Sequence, residues 1–94
     1  MSVSDSRLYM WRSLFALAHL DERVSNEEAS FMAEALASED FSQEQRATLE
    51  QDVKKAGDVF VLFQRVTDTQ DQMEFFRKAH TIVHIDGDYG SEEQ

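Results

Sequence analysis

His19-Leu20-Asp21-Glu22-Arg23-Val24-Ser25-Asn26-Glu27-Glu28 returns, degenerate but in step, as His84-Ile85-Asp86-Gly87-Asp88-Tyr89-Gly90-Ser91-Glu92-Glu93. His84 lies 65 positions after His19, as Asp86 does after Asp21 and Glu93 after Glu28. Both copies read His, aliphatic, Asp, two variable residues, an apolar residue, two small or polar residues, then Glu-Glu. Each follows an apolar segment, Leu14 to Ala18 in one case and Thr81 to Val83 in the other. The pattern is one helix ending, a tight acidic turn, and a second helix beginning. It sets the fold class: an all-α bundle of about five helices with an internal helix–acidic turn–helix pseudo-repeat.

Working outward, the stretch before the first copy predicts a helix from about Asp5 to Leu20, capped by Ser4 or Asp5. Leu8, Trp11, Phe15 and Ala18 recur at helical spacing, with Met10, Leu14 and Leu17 in an adjoining stripe. So broad an apolar face predicts a central helix. After the first turn, Ser25 and Glu28 form a capping-box signature. The second helix runs through Phe31, Met32, Ala35 and Leu36 and stops near Ser38-Glu39-Asp40. Ser42 to Gln45 repeats the capping signature and opens a third helix, with Ala47, Leu49 and Val53 inward. Lys54 and Lys55 sit in its last turn, where the helix dipole favours cations, and Gly57 is placed as its C-cap.

Asp58 to Val66 is rich in β-branched and aromatic residues, which would suit a strand. A lone strand leaves its backbone unpaired, so the expectation is a short buried helix. Thr69 to Gln72 gives a third capping signature. A fifth helix follows with Met73, Phe76, Ala79, Ile82 and Val83 inward, ending at Ile85. Trp11, Phe15, Phe60, Phe63, Phe75 and Phe76 are expected in the core, the alternative being a groove for a partner helix. Ser91 is poised to open another helix three residues before the sequence stops. Residues 1–94 are therefore expected to form a single domain, truncated at its C-terminus and lacking its final helix.

Composition supports this outline. The chain has 94 residues, 41% hydrophobic, with no proline, three glycines and no cysteine. That is enough for one modest core, and it favours helices joined by short turns. Without cysteine there are no disulfides, thiolate metal sites or thiol nucleophiles. The net charge of −10 opposes binding to nucleic-acid phosphates or an anionic membrane surface. Cations, or basic surfaces of partner proteins, are the natural ligands, and homo-oligomerisation stays open. No apolar run approaches the roughly 20 residues of a bilayer span, so no direct membrane insertion is expected and the chain reads as cytoplasmic.

The acidic turns supply the candidate site residues. Asp21 and Asp86 follow helix C-termini, where the macrodipole disfavours a carboxylate, and Asp88 lies beside Asp86. These three are the primary candidates for a divalent cation such as Ca²⁺ or Zn²⁺. Glu28 and Glu93 are weaker candidates, since capping accounts for Glu28. Asp21, Glu27, Asp86 and Glu92 are the candidates for contacting a basic partner. The plain alternative for both Asp residues is an Asx-type turn closed on its own backbone. Asp86 to Glu92 departs from an EF-hand loop: the sixth position is Ser91 instead of glycine, and the bidentate Glu at the twelfth lies beyond Gln94. His80 and His84 have zinc-ligand spacing, but without an intervening Glu they do not make a zinc-protease motif. No constellation of nucleophile, base and oxyanion donors is present.

With both copies in view, the sequence resembles the TerB-like family of helical domains, named for bacterial tellurite-resistance proteins. The likeness rests on Ala18-His19-Leu20-Asp21 through Glu28 and Val83-His84-Ile85-Asp86 through Glu93, with Asp21, Glu28, Asp86 and Glu93 at the family's acidic positions. It extends to the apolar Val59 to Val66 segment and the long helix after it. Glu22 stands where the family has glycine, and Val83 where the first copy has Ala18. The resemblance implies a non-enzymatic interaction module in a bacterial stress-response or membrane-associated complex, acting through its acidic turns. It implies, as the alternative, a divalent-cation binding or sensing domain using the same Asp residues.

Overall fold

The computed structural model describes residues 2–19, 26–55 and 57–83, and in them the chain is all-helical. Five helices follow in order: α1 (Asp5–Ala18), α2 (Asn26–Ser38), α3 (Gln43–Lys54), α4 (Val59–Phe63) and α5 (Thr69–Val83). Helix α1 is the axis, packing most extensively against α5 and α4, then α3, and least against α2. Its sequence explains that place. Met10, Trp11, Leu14, Phe15, Ala16 and Ala18 are all buried, and a helix apolar on most of its circumference must be surrounded. Ser13 is completely buried among them, its hydroxyl satisfied by donating to the Tyr9 carbonyl at 2.7 Å.

Local chemistry sets the helix ends. Ser4 caps α1, its hydroxyl accepting from the Arg7 N–H at 3.1 Å. Ser42 caps α3 in a reciprocal capping box: its Oγ accepts from Gln45 N–H and its own N–H donates to Gln45 Oε1. The same Gln45 amide also receives the Val3 N–H at 3.1 Å and donates to the Val3 carbonyl at 2.8 Å. One side chain thus closes a helix and pins the N-terminal segment. At the far end of α2, Arg46 donates to the Leu36 carbonyl at 2.9 Å, where the last carbonyls of a helix lack internal partners.

Several expectations need correction. Helix α1 ends at Ala18, with His19 as its C-cap. Ala47 faces solvent, while Leu49 is buried and Val53 half-buried. Gly57 is not the C-cap of α3, because Lys55 ends that helix in an extended conformation. Asp58 instead caps α4, accepting from Phe60 and Val61 N–H groups. The apolar run is helical as expected but only partly buried: Leu62 and Val66 are inside, whereas Phe60 is 79% and Val61 58% exposed. A five-residue helix against α1 has one inner face, so a continuous apolar run must turn some of its members outward.

Helix α5 is turned relative to the expectation. Asp68, not Thr69, caps it, accepting from the Gln70 N–H at 2.8 Å. The Gln72 side chain reaches the Val66 carbonyl instead. Asp71, Phe75 and Ile82 are buried, while Met73 and Phe76 are 60% and 62% exposed. Ile82 is inside and Ala79 packs half-buried against the core as expected. The expectation fails at Met73 and Phe76, whose places on the inner face are taken by Asp71 and Phe75, a rotation of roughly 100° or about one residue of helical twist. Two tertiary contacts account for the register: Phe75 packs on Phe63 at 4.8 Å between ring centroids, and Asp71 and Glu74 reach Arg7 of α1. The final turn and any further helix fall outside the described residues.

Candidate interaction surface

Of the acidic candidates, Glu27 and Glu28 fall within the described residues; Asp21, Asp86, Asp88, Glu92 and Glu93 lie outside them. Glu27 and Glu28 are adjacent on the first turn of α2 and diverge by about 100°. Glu28 points inward at 8% exposure, and Glu27 is exposed. A common ligand for the two is therefore not what α2 builds. Among the described residues no three His, Cys, Asp or Glu side chains come together as a metal site. His80 is exposed, and His84, its expected zinc partner, lies outside the description. His19 turns its Nε2–H to the Val53 carbonyl at 2.9 Å, so the first-copy histidine ties the end of α1 to α3.

The carboxylates that the fold does gather are held by two arginines of α1. Arg7 Nε donates to Glu39 at 2.6 Å and Nη1 to Asp71 at 3.1 Å, and Nη2 approaches Glu74 at 3.4 Å. Trp11 Nε1–H donates to the same Glu39 oxygen at 3.0 Å. Arg12 holds Asp52 through Nε at 2.8 Å. The hydrogen bond to Glu39 raises the Arg7 pKa above its ordinary value despite opposing desolvation, and Asp52 does the same for Arg12. For Glu74, desolvation pushes the pKa up, but the Lys78 hydrogen bond and the Arg7 charge outweigh it and hold it below the usual range. Both guanidiniums, partly buried, are thereby engaged by carboxylates of the fold itself. Sequence reasoning passed over Arg7 and Arg12; the available signal was two arginines flanking a buried apolar stripe, where a charge needs a partner.

Two outward features remain. Among the described residues helices α2 and α5 scarcely touch, and a groove lies between them. Its wider part, of about 490 Å³, is lined by Asn26, Glu27, Ser30, Phe31, Glu34 and Thr81. A narrower part of about 150 Å³ shares Phe31 and Glu34 and is floored by Trp11, with Ala35, Ser38 and Lys78 around it. Phe31 packs on Trp11 at 6.2 Å, and Lys78 sits over the Trp11 ring at 5.3 Å while pairing with Glu74. The second feature is the edge formed by Phe60, Val61, Met73 and Phe76, joined to the core where Phe76 meets Phe63 and Phe75. No described helix is long and apolar enough to cross a membrane.

Comparison with family models, curated proteins and solved structures finds no match to the chain.

Proposed function

We propose that this domain is a non-enzymatic interaction module that engages a protein partner through a basic surface on that partner. The proposal extends to the setting that the TerB-like motifs imply, a bacterial stress-response or membrane-associated assembly, with Asp21, Glu27, Asp86 and Glu92 as contacts. The observation that supports it most is the division of charge. Arg7 and Arg12 are engaged by carboxylates of the fold and Lys54, Lys55, Arg65 and Arg77 are exposed elsewhere, while the exposed Glu27 and Glu34 of α2 have no basic partner among the described residues. A net charge of −10 distributed in this way draws positively charged surfaces and speeds their encounter.

The test is recovery of partner from a bacterial lysate by the wild-type chain and by an Asp21→Asn/Asp86→Asn variant. A partner retained by the wild type, released at about 0.5 M salt and depleted with the variant is the expected result. Equal recovery by both would remove the acidic turns from the proposal. Calorimetry supplies the competing outcome: heat from Ca²⁺ or Zn²⁺ binding that disappears with Asp86→Asn would favour divalent-cation binding at Asp21, Asp86 and Asp88.

A further inference from the structure

Helix α2 is the most weakly held of the longer helices. Over its thirteen residues Glu28, Met32 and Ala35 are its buried positions, although it is one of the more apolar elements of the chain. Its outer face is small and flat, with Ala29, Ser30 and Ala33 exposed. A helix of that composition presenting so much surface has room for another helix to approach closely. The open groove beside it supplies the place, with Phe31 half-buried at its centre.

We infer that the α2–α5 groove seats an amphipathic helix of a partner protein, one carrying lysine or arginine two turns apart on either side of an apolar residue. Charge selects this occupant. Glu27 and Glu34 lie seven residues apart on one face of α2, about 10.5 Å along the axis, and Phe31 lies between them. The charged side chains of α2 are all acidic, and Lys78 on the opposite wall is already engaged by Glu74 and Trp11. A second copy of the chain would bring another ten negative charges to an acidic wall. Residues 84–94, with Asp86, Asp88, Glu92 and Glu93 and no lysine or arginine, are opposed for the same reason. A basic helix satisfies both carboxylates and covers Phe31. The inference rests on the basic-partner reading above and adds its place and the partner's form.

The test uses the full 94-residue chain and a designed 18-residue amphipathic Leu/Lys peptide, with a Leu/Glu peptide of the same pattern as control. Trp11 is the sole tryptophan and lines the narrow end of the groove, so its emission reports occupancy and calorimetry gives the affinity. The Lys peptide should bind and shift the emission, and the Glu peptide should do neither. Affinity should fall at least tenfold in Glu27→Lys/Glu34→Lys, less in Glu27→Gln/Glu34→Gln, and by under twofold in Glu44→Lys/Glu50→Lys on the exposed face of α3. Equal losses in the α2 and α3 reversals would reduce the effect to net charge and overturn the groove, while leaving the basic-partner reading intact. Binding lost in Phe76→Gln but kept in the α2 variants would move the site to the α4–α5 edge and also overturn it. Failure of the Lys peptide to bind at all would overturn both readings. Self-association of the free chain that Glu27→Lys/Glu34→Lys abolishes would assign the groove to a second copy instead.

Discussion

Arg7→Met is the substitution with the largest consequence that the structure specifies. Methionine keeps most of the aliphatic stem and removes the guanidinium that Glu39, Asp71 and Glu74 share. Removing one partner of a buried ion pair costs about 3–5 kcal/mol, because the other charge stays behind without compensation. Asp71, with 9% side-chain exposure, is close to that limit. Glu39 and Glu74, at 17% and 26%, retain more water and contribute in the range of exposed pairs, about 0.2–1 kcal/mol each. Because the Arg7 side chain is itself 28% exposed, the Asp71 contribution falls at the lower end of its range. The expected loss is about 3–4 kcal/mol, a large part of the roughly 5–15 kcal/mol typical of a domain. For a chain of this size it lowers Tm by roughly 15–25 °C.

Urea denaturation followed by far-UV circular dichroism and by Trp11 emission measures this directly, since Trp11 also bonds to Glu39. The pH dependence is a second constraint. Glu74 is held below its ordinary pKa by Lys78 and Arg7, against its own desolvation. A depressed carboxyl contributes stability above its unfolded pKa of about 4.3, and that contribution is lost as pH falls through the folded value. Without Arg7 less of that contribution exists to lose, so the gap between wild type and Arg7→Met should narrow from pH 7 to pH 3. A loss under 0.5 kcal/mol at pH 7, on the order of an ordinary surface substitution, would refute the reasoning. So would a gap independent of pH.

Two further predictions test the packing. Phe75→Ala should cost about 3–5 kcal/mol as a core truncation, whereas Met73→Gln/Phe76→Gln should change stability by under about 1 kcal/mol; the reverse order in denaturant melts would restore the rejected face of α5. Ser42→Ala should cost about 1 kcal/mol through loss of the capping box. In amide exchange, the first-turn N–H groups of α3 should lose protection before those of α1, and uniform loss would contradict a local cap.

Local signals carried the helix plan. Ser4, Ser42 and the polar Ser38-Glu39-Asp40 stop act within a turn of their own position, and the structure places helix boundaries at each. The breadth of the α1 apolar face likewise announced a central helix, because no other arrangement buries residues on so much of one cylinder. The candidate site was legible only as a charge pattern. Its Asp residues lie 65 positions apart in the sequence and outside the described residues, and sequence spacing over that distance carries no information about their separation in space.

The capping residues and the apolar periodicity thus determined by themselves that this chain is a helical bundle organised on α1. Which face of α5 turns inward was a tertiary decision. Met73–Phe76 and Phe75–Ile82 are comparably apolar stripes, and periodicity ranks them alike. Arg7 on a neighbouring helix demanded Asp71 and Glu74, Phe63 received Phe75, and the helix turned to meet both. The same contacts left Met73 and Phe76 at the surface and held α5 away from α2. The groove between those helices has no counterpart in either helix alone, since it exists only in the space that their packing on α1 leaves open.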